Sequence, residues 1–206
     1  MKRRRLRAGL AAVAAVATGV TVWGLQSQSA TAPESKAASE ERNAQQADTL
    51  LQAAIMQQQY QDARGAARTY RRVLEMDPEN KVAWYNLGVI AQQDGRTTDA
   101  RAAYEKSLRI DPKYTSALFN EAVLLKSSEP ERAIALLKRA IATNSQAATA
   151  HLQLGQILAE KDRGDEAEDE FRRAVAADPS LHAQVPKPFR DSVTPSPTSS
   201  QARSTG

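Results

Sequence analysis

The stretch Lys81–Pro112, KVAWYNLGVIAQQDGRTTDARAAYEKSLRIDP, decides how the rest of this 206-residue chain is read. Trp84, Leu87, Gly88 and Ala91 fall at i, i+3, i+4 and i+7, which is one face of a helix. Gly95 turns the chain, and Ala100, Tyr104 and Ser107 then lie on the packing face of a second helix. Asp111-Pro112 closes the stretch, because proline has no N–H and clashes with the turn before it. Two short helices with small residues at their crossing cannot bury an apolar face alone. They must stack on further copies, and the stack forms an extended groove.

Weaker copies flank this unit, giving repeats at about 47–80, 81–114, 115–147 and 148–181. The first carries Leu50, Ala53-Ala54, Ala66, Tyr70, Val73 and Asp77-Pro78. The third has Leu118, Glu121-Ala122, Ala133, Leu137 and Ala140, with an inter-helix loop one residue shorter and Ser145 in place of the closing proline. There, Ser128-Glu129-Pro130-Glu131 reads as a capping box with an early proline, a strong helix start. The fourth has Leu154-Gly155, Ala167, Phe171, Ala174 and Asp178-Pro179, and His151 stands where the second unit has Trp84. Pro78 and Pro112 are 34 residues apart, and Pro112 and Pro179 are 67 apart, which is two near-equal periods.

In these positions residues 40–185 resemble the tetratricopeptide repeat family. The resemblance implies an all-α solenoid of about four helix–turn–helix units that binds a protein or peptide segment. It implies that Gly88 lets the second helix approach closely, and that the first helix of each unit lines the concave face. Two residues past the Trp84 place and its counterparts stand Gln52, Asn86, Asn120 and Gln153, all primary amides. An amide offers a donor and an acceptor, as a peptide backbone does, so a ladder of them suits an extended partner. Tyr85, Val89, Phe119, Val123 and Gln156 are neighbouring groove candidates. A plain solvated helix face would use the same amides. Grasping a C-terminal carboxylate, as some family members do, needs cations. The matching positions here are Leu51, Ile55, Ser116 and Asn120, or one unit later Tyr85, Val89, Thr149 and Gln153. After Pro179 the last unit needs cover, which Leu181, Val185 and Phe189 could provide by folding back; a second copy, making a homo-oligomer, is the alternative.

Five of the 28 basic residues, Lys2, Arg3, Arg4, Arg5 and Arg7, precede the first acid at Glu34, leaving 23 basic against 24 acidic residues. That near-neutral remainder lacks the footprint expected for nucleic-acid binding. With no cysteine there are no disulfides or thiol nucleophiles, and His151 and His182 alone cannot make an all-histidine metal site. No catalytic, cofactor or metal constellation rises above chance, so neither an enzyme nor a cofactor is expected. His151 reads as a packing substitute for an aromatic, and the acidic run Glu166, Glu168, Asp169, Glu170 as a solvated outer face.

Behind the basic start lies an uncharged run, residues 8–25, with Trp23 near its far end. At about 1.5 Å per residue, its 18 helical residues fall just short of a ~30 Å hydrocarbon core. Ala30-Thr31-Ala32 offers a signal-cleavage site, but Pro33 sits badly after a scissile bond, so an uncleaved anchor is favoured over secretion. The positive-inside rule would then leave residues 2–7 in the cytoplasm and put the repeats across the membrane. Residues 26–39 read as a flexible linker, and 186–206, with four prolines among Ser and Thr, as a disordered tail.

Overall fold

Each repeat folds as a pair of helices joined by a tight turn. The structure, a computed structural model, describes residues 36–144 and 146–194. The first helices of the pairs are α1 (Lys36–Gln59), α3 (Lys81–Gln93), α5 (Thr115–Leu125) and α7 (Ala148–Glu160). The second helices are α2 (Ala63–Met76), α4 (Thr97–Ile110), α6 (Pro130–Thr143) and α8 (Gly164–Ala177). A 3₁₀ turn, Pro179–Gln184, and a short α9, Lys187–Arg190, follow. Every helix packs most heavily on its partner and then on the next unit, which is a helical solenoid with no strand among the described residues. The expected anchor at 8–25, residues 26–35 of the linker and residues 195–206 of the tail lie outside the described residues. Among the described residues no helix is long and apolar enough to cross a membrane.

The turn within a unit is made the same way three times. Gln61, Gly95 and Asp162 occupy equivalent places and carry φ of 64°, 72° and 58°. Only glycine takes that left-handed conformation without cost, so the second unit has the least strained turn. The third unit, one residue shorter, has no positive φ there among the described residues. Its helix start also differs from expectation. The N-cap of α6 is Glu129, which makes no side-chain cap hydrogen bond, with Pro130 following. The Glu129 carboxylate instead pairs with Arg101 at 2.5 Å and Arg132 at 3.5 Å, so an ion-pair network replaces the capping box.

Within a unit, an aromatic ring from the second helix presses on a residue of the first that has almost no side chain. A Cβ added at Gly88 would stand 2.5 Å from Tyr104 Cε1, and one added at Gly155 would stand 2.7 Å from Phe171 Cδ1. Ala54 against Tyr70 and Ala122 against Leu137 take these places in the other two units, and all four second-helix residues are fully buried. The two tyrosines keep their hydroxyls satisfied identically: Tyr70 donates to Gln58 Oε1 at 2.9 Å and Tyr104 to Gln92 Oε1 at 2.7 Å. Ser107, also fully buried, donates to the Lys81 carbonyl at 2.9 Å. Trp84 is only half-buried; its indole N–H donates to the Pro78 carbonyl at 2.9 Å.

Two polar groups depart from the repeat. Glu121 sits where the second and fourth units place Leu87 and Leu154. It is fully buried and pairs with Arg132 at 2.5 Å, but its Oε2 has no hydrogen-bond partner. Burial raises its carboxyl above the ordinary value, against the opposing pull of Arg132. His151 is buried, as a packing substitute would be, yet its Nδ1 also lies 2.5 Å from Glu170 Oε2. Glu170 further pairs with Arg173, so it turns inward and leaves the acidic run that sequence reading put on the solvated face.

The ends also differ from expectation. Lys36–Ser39, assigned to the linker, already belong to α1. At the other end Leu181, Val185 and Phe189 fold back over the last unit as expected, but the packed part runs on past residue 185, into the stretch assigned to the tail. Leu181, Val185 and Val193 are buried against the last unit, and Phe189 stacks on Phe171 with ring centroids 5.3 Å apart. Arg190 donates to the Val185 and Ala183 carbonyls at 2.9 and 3.0 Å, tying this cap together.

Gly88→Ala is expected to cost about 1–3 kcal/mol in denaturant unfolding, because the Tyr104 ring must move in a packed interior. Gly164→Ala, with nothing within 4 Å of the added Cβ, should stay within about 0.5 kcal/mol of wild type. Glu121→Leu restores the apolar residue of the other units while Arg132 keeps Glu105 and Glu129; it should raise stability by about 1 kcal/mol or more. The raised carboxyl favours folding when protonated, so its contribution is complete below about pH 4.5 and lost as pH rises through the folded value. Thermal melts of wild type against Glu121→Gln should therefore show wild type falling behind as pH rises above about 4.5.

Candidate partner-binding groove

Of the first helices, α3 packs directly against α5. Of the nine sequence candidates, Tyr85, Asn86, Val89, Phe119, Asn120, Val123, Gln153 and Gln156 are half-buried, as a groove floor would be, and Gln52 is exposed.

The centre of this surface is built from tyrosines. Tyr85 packs edge-on against Tyr114 with centroids 5.4 Å apart, and lies 6.0 Å from Tyr104 in a tilted arrangement. Asn120, one helix further, donates from Nδ2 to the Tyr85 hydroxyl at 3.1 Å. Val89 and Leu124 pack beside Tyr104, and Lys81 caps the Tyr114 ring from 5.3 Å while pairing with Asp111 at 2.5 Å. Burial lifts all four clustered phenols, Tyr70 to about 12 and Tyr85, Tyr104 and Tyr114 above their usual 10. The Asn120 amide opposes that shift at Tyr85 and Tyr104, since it stabilises the phenolate.

The four amides are therefore not alike. Asn86 donates to its own helix at the Val82 carbonyl, 2.9 Å away, and Asn120 is drawn into the tyrosine cluster. Gln52 and Gln153 make no side-chain hydrogen bond among the described residues, nor does Gln156. Tyr114 and Leu124 were missed by sequence reading. Tyr114 lies in the loop before α5, outside the helical period that located the others. Among the described residues no group of three acidic or histidine side chains could hold a metal.

The sequence model described as tetratricopeptide repeat matches residues 51–115 and 123–182, more than half of the chain. The chain belongs to the tetratricopeptide repeat family. Among solved structures it resembles YrrB, described as a TPR protein with an unusual peptide-binding site, at 25% identity and TM-score 0.61, covering 74% of this chain and 79% of that one. It also resembles PilW, a widely conserved type IV pilus biogenesis factor, at 25% identity and TM-score 0.61, covering 67% of this chain and 64% of that one. The protein O-mannosyl-transferase Tmtc3 of Drosophila melanogaster is 29% identical over 122 residues, 58% of this chain and 13% of the relative. The probable UDP-N-acetylglucosamine–peptide N-acetylglucosaminyltransferase SPINDLY of Solanum lycopersicum is 29% identical over 85 residues, 41% of this chain and 9% of the relative. The chain thus spans about a tenth of those transferases, whose activity belongs to the whole proteins. As in the family at large, the repeats here form a surface suited to protein–protein interaction.

The tyrosine cluster gives this repeat protein an alkaline limit. A phenol whose folded pKa is raised contributes stability that is complete below about pH 10 and lost as pH climbs toward about 12. Melts followed by circular dichroism should fall steeply across that window. Tyr104→Phe, which copies the Phe171 of the last unit, should make the fall shallower.

Proposed function

We propose that the concave face of α1, α3, α5 and α7 holds an extended segment of a partner protein, and that the chain serves as a membrane-tethered scaffold or assembly factor. The observation that carries the reading is an aromatic floor, Tyr85 on Tyr104 and Tyr114, with the unengaged amides Gln153 and Gln156 further along the row of first helices on α7. Aromatic anchors with few rotatable bonds supply most of the affinity in such surfaces, and free amides can meet backbone groups of any sequence. YrrB's peptide-binding site and PilW's role in pilus biogenesis support binding and assembly as the kind of work done. The apolar run 8–25 behind a basic start supports a single-pass anchor with the repeats outside the cytoplasm. Release as a secreted binding protein is the alternative where the leader is cut.

Crosslinking capture from membranes with the full-length chain tests both parts. Gln153→Ala/Gln156→Ala, which disturbs no described hydrogen bond, should lower recovery of the captured partner at least about fivefold, and Tyr85→Ala at least about tenfold. Capture unchanged in both, with normal melts, would remove the groove. Deleting residues 8–25 should move the protein from the membrane fraction to the soluble one; continued sedimentation with membranes would remove the tether.

A further inference from the structure

The outer face carries opposite charges at its two ends, in the same repeat positions. Superposing the units on Ala66, Ala100, Ala133 and Ala167 aligns Arg64 with Thr98, Glu131 and Asp165. The same register aligns Arg68 with Ala102, Ala135 and Asp169. All four charged residues at the ends, Arg64, Arg68, Asp165 and Asp169, are exposed.

At the basic end these side chains border a cleft. Arg64, Arg68, Arg71 and Arg96 line a cavity of about 570 Å³ over Ala67 and Ile90, and it adjoins a second of about 320 Å³ that adds Lys106 and Arg109. Three carboxylates lie along this cleft, and all are committed. Asp94 and Asp99 pair with Arg96, while Glu105 pairs with Arg101 and Arg132. Arg64, Arg68, Arg71 and Arg109 make no ion pair among the described residues. By contrast Arg96, Arg101, Arg132, Arg163, Arg172 and Arg173 each have a carboxylate partner. Arg64, Arg68 and Arg71 also follow one another at i, i+4 and i+7 on α2, where like charges oppose helix formation. A guanidinium fork is matched by a carboxylate, bidentate and charge-assisted, and here the matching groups are missing from the cleft itself.

The same chain displays them elsewhere. On α8, Asp165, Glu166 and Asp169 are exposed; Asp165 makes no ion pair among the described residues, while Glu166 pairs with Arg163 and Asp169 with Arg172 on the same exposed helix surface. The C-terminal cap leaves these residues open to solvent. A helix ridge entering the cleft between two helices is ordinary helix packing.

We infer that the α2–α4 cleft receives the outer face of α8 from a second copy of this chain, with Arg64 and Arg68 against Asp165 and Asp169. Because the poles lie at opposite ends, a two-fold pair makes the contact twice, and a head-to-tail array makes it once per copy. The near balance of charge after residue 33, 23 basic against 24 acidic, fits such self-matching better than a polyanionic partner. The contact leaves the concave groove open, so it stands or falls independently of partner capture there.

Sedimentation of the full-length chain in a non-ionic detergent reads the contact, with any association through the first residues common to all variants. Wild type should gain mass with concentration, and its dissociation constant should rise at least about tenfold between about 0.05 and about 0.5 M NaCl. Arg64→Asp/Arg68→Asp should lose this association, as should Asp165→Arg/Asp169→Arg and the milder Arg64→Gln/Arg68→Gln. An equal mixture of the two reversed proteins should regain it, since each then offers the face the other lacks. Wild type that shows no concentration dependence, association untouched by the reversals, or a mixture that fails to reassociate overturns the inference. So does a polyglutamate peptide that binds the cleft of a chain remaining monomeric, which would assign the surface to a foreign acidic segment.

Discussion

The solenoid depends on one steric bargain made inside each unit: a ring or branched side chain from the second helix needs a near-empty place on the first. Glycine serves at positions 88 and 155, opposite Tyr104 and Phe171, and alanine at positions 54 and 122, opposite Tyr70 and Leu137. This contact fixes how closely the two helices approach, and through that the angle at which the next unit is laid down. The buried tyrosines add a polar condition, because each hydroxyl must find a partner once out of water. Gln58 and Gln92 meet it from the last turns of α1 and α3, whereas the third and fourth units avoid it with Leu137 and Phe171.

Stacking makes the two ends unequal. Met56 occupies the place of Ile90, yet it is 54% exposed where Ile90 is 3% exposed, because no unit precedes it among the described residues. Tyr60 beside it is 80% exposed. At the far end, four apolar residues after Pro179 cover the last helix pair, with Arg190 holding the turn by its own backbone carbonyls. The middle of the stack is joined differently, by Arg101 and Arg132 bridging α4, α5 and the start of α6. That network includes the buried Glu121, which interrupts an otherwise apolar position and makes the third unit the point where packing is least uniform.

The surface of the first helices is also graded. Its centre is occupied by Tyr85, Tyr114 and Asn120, already bonded and packed to one another, while the amides toward the ends stay uncommitted. Such a row of side chains is largely preformed, an arrangement that would limit the ordering cost of any binding there.

Sequence by itself determined the helix pairs, their period and the small-against-aromatic positions, because each rests on local rules: 3.6-residue periodicity, glycine at the turn, proline after it. Helical register put the nine groove candidates on the first helices, where eight prove half-buried and Gln52 exposed. Only tertiary structure decided what those side chains touch. That Asn120 would bond Tyr85, that Glu170 would turn inward to His151, and that Glu129 would pair with arginines instead of capping α6 depend on neighbours 35, 19 and 28 residues away. The start of the proline-rich end differs for the same reason: composition marks a segment as unable to fold alone, but Val193, like the Phe189 expected to fold back, finds its apolar partner on a surface that the previous unit has already built.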